Sequence, residues 1–218
     1  MSPFVKICCI SSVEEAHRAI EAGASALGLV SAMPSGPGVI GEDAIAEIAA
    51  TVPPPISTFL LTSRQDAAGI IEQHQRCRTS VIQLVDAVEA SELNMLRDAL
   101  PGVRLVQVIH VLDETSVEEA CSVAPHVDAL LLDSGNPNLT VKQLGGTGRT
   151  HNWALSRRIV ETCRTRVFLA GGLRPHNVAE AINQVRPWGI DLCTGVRTNG
   201  TLDQEKLNAF FASVRRAG

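Results

Sequence analysis

Two side chains of the sequence combine residue type and setting in a way that suits proton transfer. Cys8 lies near the end of the first short apolar run, and Asp133 ends the run 129–132, where an acid has no packing reason to be. A carboxyl group can donate a proton and a thiolate can accept one, so the two would form an acid/base pair across one site. Each residue also has a simpler interpretation, because buried cysteines are usually inert and a terminal Asp often caps a turn.

Lys6 is the charged residue placed to act on this thiol. Successive residues of a strand point to opposite faces, so Lys6 and Cys8 share one face while Ile7 and Cys9 share the other. If the first face lines the interior of the fold, the ammonium favours the thiolate of Cys8. The spacing therefore predicts an activated thiol.

Two glycine-containing segments have the composition of phosphate-binding loops. Gly171-Gly172 follows the next-to-last apolar run, and Thr194-Gly195 follows the last one. Glycine lets the backbone approach a ligand, and the free N–H groups at a following helix terminus bind anions. Tight turns alone would explain either segment. Both together, after the last two strands, favour a phosphate site.

The segment from Asp133 to Asn152 is about 20 residues long, far above the usual two to six for such a connection. It contains Gly145-Gly146-Thr147-Gly148-Arg149. A surface insertion without a role is one interpretation. A glycine-rich loop next to a candidate acid favours a lid over the ligand.

The elements that position these residues alternate between short apolar runs and longer amphipathic ones. Predicted strands cover 4–10, 26–30, 56–61, 80–84, 103–109, 127–132, 167–170 and 190–193. Predicted helices begin at the capping boxes Ser12-Val-Glu-Glu15 and Ser116-Val-Glu-Glu119 and cover 42–51, 65–74, 90–99, 153–163, 176–185 and 203–215. Gly23 is the predicted C-cap of the first helix.

Eight strand–helix units predict a single α/β domain over residues 1–218, a closed (β/α)8 TIM barrel. A doubly wound open sheet is the competing architecture, but no GxGxxG motif opens the first helix. In a TIM barrel, the chemistry lies at the carboxyl ends of the strands, and phosphate binds after strands seven and eight. Both candidate features fall where that rule requires.

Composition narrows the function classes. With 45% hydrophobic and 19% charged residues the chain can bury a core, and 3% aromatics with a net charge of −4 argue against nucleic-acid partners. The first residues show no apolar leader and no run is long enough to span a bilayer, so we expect a cytoplasmic protein without a membrane partner. Its six cysteines form no CxxC pair or Cys/His cluster, which predicts reduced thiols and no metal site.

Several short motifs occur together and in order. They are Val5-Lys6-Ile7-Cys8, Glu21-Ala-Gly-Ala24, Leu130-Leu-Leu-Asp-Ser134, Gly145-Gly-Thr-Gly148, Asn152-Trp153, Leu169-Ala-Gly-Gly-Leu173 and Thr194-Gly-Val196. Over nearly its whole length, the chain resembles the phosphoribosylanthranilate isomerase family of tryptophan biosynthesis.

The resemblance implies a cofactor-free Amadori rearrangement of a small phosphorylated sugar, with a single TIM barrel as the scaffold. By this resemblance Asp133 is the general acid and Cys8 the general base. It implies phosphate contacts at Gly146, Gly171, Gly172, Thr194 and Gly195 and a sugar contact at Asp191. Lys6 and Gln83 are further candidate substrate contacts, and Arg149, Arg174 and Arg197 are candidates to replace an arginine that the family uses and this chain lacks. The resemblance predicts no metal, and the sequence does not predict an oligomeric state.

The chain departs from the family pattern at the end of the site that would hold the anthranilate. The usual Ser-Pro-Arg-Tyr after strand two is replaced by 34–38, Pro-Ser-Gly-Pro-Gly, and the usual His of strand four by Val85. Cys9 replaces a Gly, Arg197 a Glu, and His151 a Phe. Two alternatives therefore stand beside the isomerase: an isomerase or epimerase of another phosphorylated sugar, and a phosphosugar-binding barrel without catalysis.

Overall fold

The computed structural model of the chain describes residues 3–217, and its main sheet is a closed barrel of eight parallel strands, each paired with its neighbours in sequence. The strands are β1 Phe4–Ile7, β2 Ala26–Val30, β3 Ser57–Thr62, β4 Val81–Leu84, β5 Arg104–His110, β6 Ala129–Asp133, β7 Arg166–Leu169 and β8 Gly189–Leu192. Pairing of β8 with β1 closes the barrel. The predicted TIM barrel is confirmed, and the open-sheet alternative is wrong.

One helix follows each strand and covers the outside of the barrel. The helices are α1 Val13–Ala22, α2 Glu42–Thr51, α3 Ala67–Cys77, α4 Ala90–Ala99, α5 Thr115–Val123, α6 Trp153–Thr162, α7 Val178–Val185 and α8 Gln204–Ala217. A short hairpin of β9 Arg197–Thr198 and β10 Thr201–Leu202 separates β8 from α8. No helix within residues 3–217 is both long and apolar enough to cross a membrane.

The core has two layers because the strands are apolar on both faces. Along β3, Phe59 and Leu61 pack inside the barrel with Val106, Val108 and other interior residues. Leu60 faces the opposite way and packs in the layer between the sheet and the helices. This alternation is the period of two expected of a strand, and the near-continuous apolar runs reflect burial on both sides.

The ends of two helices show where local sequence signals succeed and fail. The hydroxyl of Ser12 accepts a hydrogen bond from the backbone N–H of Glu15 at 3.1 Å, and Gly23 caps α1 with a left-handed φ of 115°, as predicted. The second predicted capping box is wrong, because α5 begins at Thr115 and places Ser116 inside the helix. The hydroxyl of Ser116 instead donates to the carbonyl of His110 at 3.3 Å.

Strand register brings the chemistry-bearing residues to one end of the barrel. Lys6 pairs with Asp191 across the β1–β8 seam, and Asp133 is the last residue of β6. Residues 134–152 form the connection from β6 to α6 and contain one isolated bridge, between Asn136 and Gln143. The long loop predicted from sequence is therefore present at the carboxyl end of β6.

Candidate active site

A cleft of about 710 Å³, counting the part open to solvent, lies at the carboxyl ends of the strands. This end of a TIM barrel is where small-molecule ligands bind. Among the predicted site residues, those that line it are Cys8, Gln83, Asp133, Gly146, Gly171, Gly172, Asp191, Thr194 and Gly195. Lys6, Arg149 and Arg197 do not line it.

Cys8 is a buried thiol in the wall of the cleft, with 6% of its surface exposed. Burial raises the pKa of the Cys8 thiol to about 11, although the nearby Lys6 ammonium opposes the shift. The predicted cation is present, but desolvation outweighs it, so the prediction of an activated thiol is wrong for the free protein. In the free protein, Cys8 holds its proton at neutral pH.

Lys6 and Asp191 form a buried ion pair next to Cys8. The Lys6 Nζ lies 2.9 Å from Asp191 Oδ1, off hydrogen-bond geometry, and 5.2 Å from the centre of the Phe59 ring. Burial disfavours this ammonium, but the negative charge of Asp191 raises the pKa of Lys6 above its ordinary value. Lys6 therefore stays charged inside the barrel and acts on Cys8 without lining the cleft.

Asp133 faces the same cleft and has 7% of its surface exposed. Burial raises the pKa of Asp133 to about 6, against a hydrogen bond from the backbone N–H of Ser134 that favours the carboxylate. Two glycines lie against its oxygens, since a Cβ at Gly145 would be 2.8 Å from Oδ2 and one at Gly171 would be 3.2 Å from Oδ1. The carboxyl group therefore holds a proton at pH values where an exposed Asp has lost it.

His151 lies behind Asp133 and was not assigned a role from the sequence. One ring nitrogen, Nε2, is 2.7 Å from the hydroxyl of Ser156, and burial lowers the pKa of His151 to about 4. The other, Nδ1, lies 3.1 Å from the Cβ position of Gly171 and has no hydrogen-bond partner among residues 3–217. A neutral imidazole thus borders the space beside Asp133, a position that only the three-dimensional structure reveals.

The two glycine segments meet on the side of the cleft formed by β7 and β8. Gly171 and Gly172 have left-handed φ values of 80° and 63°, which favour glycine. Gly195 packs directly against the carbonyl of Leu173, so the two loops touch. The backbone N–H groups of these three glycines donate no hydrogen bond to another residue in the described part of the chain. Such N–H groups suit an anion.

The β6–α6 connection lies against the glycine loops, since a Cβ at Gly148 would be 3.6 Å from the Thr194 hydroxyl, and polar contacts hold it over the cleft. The Ser134 and Thr147 hydroxyls are 2.7 Å apart, and the Ser35 hydroxyl donates to the carbonyl of Lys142 at 2.5 Å. The Lys142 ammonium lies 2.5 Å from Asp86, which follows β4. The loop thus bridges the segments after β2 and β4, as a cover over the cleft would.

The structure places two arginines predicted as substrate contacts, Arg197 and Arg149, outside the lining of the cleft. Arg197 is buried and turned away from the cleft, where its Nη1 and Nη2 lie 2.9 and 3.0 Å from the two carboxylate oxygens of Glu15. Its Nη2 also donates to the carbonyl of Cys9 at 2.5 Å. Arg149 is exposed on the covering loop and donates to Gln143 at 2.9 Å. Arg197 is committed to a buried ion pair, and Arg149 binds within its own loop.

The expectation that all six cysteines are reduced is wrong for one pair. A disulfide joins Cys9 to Cys193, with their Cα atoms 5.8 Å apart. Cys8, Cys77, Cys121 and Cys163 are free, although the Cys121 and Cys163 sulfurs are only 3.2 Å apart. The two bonded residues are 184 positions apart, so their spacing carries no signal, and only closure of the barrel brings them together.

Replacing Gly28 by alanine is expected to displace Cys8, because the new Cβ would lie 2.7 Å from its Sγ and 3.1 Å from Lys6 Cε. Overpacking of this kind lowers the free energy of unfolding by about 1–3 kcal/mol. Urea unfolding of Gly28→Ala measures the effect. Gly102→Ala is the matched control, since that glycine is exposed with nothing within 4 Å of its Cβ position. Equal unfolding midpoints for the two variants would contradict the prediction.

Comparison with known proteins adds a second line of evidence to this geometry. The family model described as N-(5'phosphoribosyl)anthranilate (PRA) isomerase matches residues 5–213. The N-(5'-phosphoribosyl)anthranilate isomerase of Methanocella arvoryzae is 33% identical, with 97% of each chain aligned. That of Pelobacter propionicus is 36% identical over 95% of this chain and 93% of the relative.

Solved structures agree with this result. The crystal structure of phosphoribosyl anthranilate isomerase from Thermus thermophilus superposes with a TM-score of 0.82 at 27% identity, covering 97% of this chain and 98% of that one. The enzyme from Thermotoga maritima gives a TM-score of 0.84 at 25% identity, covering 98% and 99%. The chain therefore belongs to the N-(5'-phosphoribosyl)anthranilate isomerase family.

Proposed function

We propose that the protein converts N-(5-phosphoribosyl)anthranilate into 1-(o-carboxyphenylamino)-1-deoxyribulose 5-phosphate by an Amadori rearrangement. The observation that carries the proposal is the pairing of a protonatable acid, Asp133, with a buried thiol, Cys8, in one cleft beside two glycine loops. Membership of the family supports the assignment of substrate. The rearrangement needs one acid and one base and no electron acceptor beyond the substrate's own imine.

The first step opens the ribose ring. The protonated Asp133 carboxyl gives its proton to the ring oxygen, and the bond from that oxygen to C1 breaks. The nitrogen lone pair forms a C1–N double bond, which leaves a protonated Schiff base and an aspartate anion. A raised pKa favours this role, because a carboxyl with an ordinary pKa would already be ionised at neutral pH.

The second step is proton removal from C2. The Cys8 thiolate takes this proton, the C–H electron pair forms a C1–C2 double bond, and the electrons of the C–N double bond return to nitrogen. The resulting enolamine has a hydroxyl on C2, and its conversion to the ketone gives the product. The Lys6 ammonium favours the thiolate required here, and Asp191 keeps that ammonium charged and in place.

In this proposal the glycine loops bind the 5-phosphate. The N–H groups of Gly171, Gly172 and Gly195 are available as donors, and the hydroxyl of Thr194 lines the same side of the cleft. Gly146 lines the cleft from the covering loop, so it would close over the bound phosphate. Gln83 and Asp191 are the polar side chains left to contact sugar hydroxyls.

The proposal is tested by turnover of freshly prepared N-(5-phosphoribosyl)anthranilate. We expect the purified protein to consume it and to form the deoxyribulose phosphate, an isomer of equal mass that is identified by its chemistry as a ketone. Gly102→Ala, far from the cleft, serves as the active control. No turnover under conditions where a known isomerase is active would overturn the proposal, and tight binding without turnover would favour the non-catalytic alternative.

The pH dependence of kcat/KM follows from the two pKa values. In the active form Asp133 is protonated and Cys8 is ionised. Asp133 loses its proton as the pH rises through about 6, and Cys8 loses its proton as the pH rises through about 11. Below pH 6 the acid is fully protonated while the thiolate fraction rises tenfold per unit, so kcat/KM rises. Between pH 6 and pH 11 the protonated fraction of Asp133 falls as fast as the thiolate fraction of Cys8 rises, so kcat/KM is flat. A rate profile from about pH 5 to 9 checks this; a fall through neutral pH would contradict it.

A second candidate function is favoured by the wall of the cleft opposite the glycine loops. Its side chains are apolar and include Met33, Leu61, Val85, Val108 and Leu144, and no Lys, Arg or His among residues 3–217 lines the cleft. A carboxylate placed there would have no counterion, which weakens binding. The same chemistry would then act on a phosphoribosylamine whose nitrogen carries an uncharged group.

A comparison of two substrates separates the two candidate functions. The kcat/KM for N-(5-phosphoribosyl)anthranilate is compared with that for N-(5-phosphoribosyl)aniline, which lacks only the carboxylate. A higher value for the anthranilate supports the first candidate. A higher value for the aniline supports the second.

A further inference from the structure

We propose that Cys9 and Cys193 are a thiol–disulfide exchange site that takes small disulfides such as glutathione disulfide, and that its oxidation state sets the affinity of the cleft for phosphate. The proposal rests on the phosphate loop proposed above. Its evidence is the position of the bond. Both residues line the cleft, and their Cα atoms are 5.8 Å apart across the seam where β8 meets β1.

The disulfide connects the two functional parts of the site. Cys9 follows Cys8 directly, and Cys193 directly precedes Thr194. The backbone joins the same strands one residue earlier, where the N–H of Cys8 donates to the carbonyl of Leu192 at 2.8 Å. Beyond that bond the strands have ended. The disulfide ties the start of the Thr194–Val196 turn to β1, while Arg197, the residue after the turn, holds its other end by donating to the carbonyls of Cys8 and Cys9.

Cys9 is held firmly on its own side of the bond. Its φ of 64° is left-handed, a conformation that a residue with a side chain adopts only when its surroundings impose it. Those surroundings are the Arg197 guanidinium, which donates to its carbonyl at 2.5 Å, and Gly38, which packs against its side chain. The carbonyl of Cys193 accepts a longer hydrogen bond, 3.4 Å from the N–H of Val196 in the same turn, so the loss of the disulfide would act mainly on the β8 side.

The accessibility of the sulfurs sets the order of exchange. Cys193 is partly exposed, Cys9 is buried, and the nearby Cys8 is buried and protonated at neutral pH. In the reduced protein the Cys193 thiolate attacks one sulfur of glutathione disulfide, and one glutathione thiolate leaves. The Cys9 thiolate then attacks the Cys193 sulfur, and the second glutathione thiolate leaves. The pair loses two electrons and two protons, and glutathione disulfide gains both. Excess reduced thiol reverses the two steps.

Reduction would loosen the start of this turn, where Thr194 supplies its hydroxyl and Gly195 its N–H. Phosphate binding is therefore the property that we expect to change. Ordering this turn would then accompany ligand binding and weaken it. We expect the dissociation constant for inorganic phosphate to be about 3- to 10-fold higher in the reduced protein than in the oxidised one.

The test uses the full chain and two measurements that do not depend on turnover. After treatment with glutathione disulfide, peptide mapping should find the Cys9 and Cys193 peptides linked, and dithiothreitol should release them. Calorimetry with inorganic phosphate should then show weaker binding after reduction. Cys193→Ser should bind phosphate equally with and without reductant, whereas Cys121→Ser, which removes the other close sulfur pair, should respond as the unmodified chain does.

Three results would overturn the proposal: no linked peptide after oxidation, a phosphate affinity that reduction leaves unchanged, or a redox response that persists in Cys193→Ser. Since none of these uses the isomerisation, a protein that failed to turn over phosphoribosylanthranilate would still give a clear answer here.

Discussion

Replacement of Asp133 by asparagine is expected to reduce kcat/KM for the isomerisation by about 10²- to 10⁴-fold, the range typical of a lost general acid. The amide is close in shape to the carboxyl but cannot give a proton to the ring oxygen. Steady-state turnover measures the loss. Activity within about threefold of the unmodified chain would show that another group donates the proton.

The same substitution is expected to stabilise the fold at neutral pH. Burial raises the pKa of Asp133 from 3.8 to about 6, so this group's contribution to stability is fully present below 3.8 and is lost as the pH rises through 6. At pH 7 the ionised, buried carboxylate lowers the free energy of unfolding by up to about 3 kcal/mol. Asparagine does not ionise, so the variant escapes this loss.

Urea unfolding at about pH 4 and about pH 7.5 checks the sign. The two proteins should have similar free energies of unfolding at the lower pH, and the asparagine variant should be the more stable one at the higher pH. A difference that does not change with pH would mean that the Asp133 carboxyl is not the group responsible. Loss of activity together with a gain of stability is typical of a functional residue whose burial strains the fold.

Replacement of Cys8 by serine is expected to lower kcat by about 10³-fold or more, within the range for a lost general base and a poorer acceptor in its place. The hydroxyl fits the site but does not ionise at any pH the protein withstands, so Lys6 has no anion to stabilise. KM should change little, because the Cys8 thiol makes none of the phosphate contacts proposed above.

Cys121→Ser is the matched control for this loss. It makes the same atomic change in a partly exposed helix residue outside the cleft, and its kcat should equal that of the unmodified chain. If Cys8→Ser retained full kcat, the base would have to be another residue. If both variants lost activity, the effect would be on folding.

Much of this arrangement was predictable from sequence because it depends on local signals. Runs such as 26–30 are apolar on both faces, which predicts a strand buried inside a barrel, and Ser12 and Gly23 delimit α1 by their backbone chemistry. An acid at the end of an apolar run, as in Asp133, has no packing explanation, and this made it a candidate. These signals determined the fold and placed Cys8 and Asp133 at the same end of it.

Other features depend on contacts between distant segments and left no such signal. The Glu15–Arg197 ion pair joins residues 182 positions apart, and it draws Arg197 away from the cleft. Ser116 fails as a cap because its hydroxyl finds the carbonyl of His110. For Cys8, the sequence shows that a cation is near but not how strongly burial opposes it, and the balance decides the direction of the pKa shift.

The central claim, that this barrel isomerises phosphoribosylanthranilate through Cys8 and Asp133, is tested most directly by complementation. A bacterial strain that lacks its own phosphoribosylanthranilate isomerase cannot grow without tryptophan. We predict that the unmodified chain restores growth and that Cys8→Ser and Asp133→Asn, expressed to the same soluble level, do not. Absence of growth with the unmodified chain, or growth with either variant equal to it, would contradict the account.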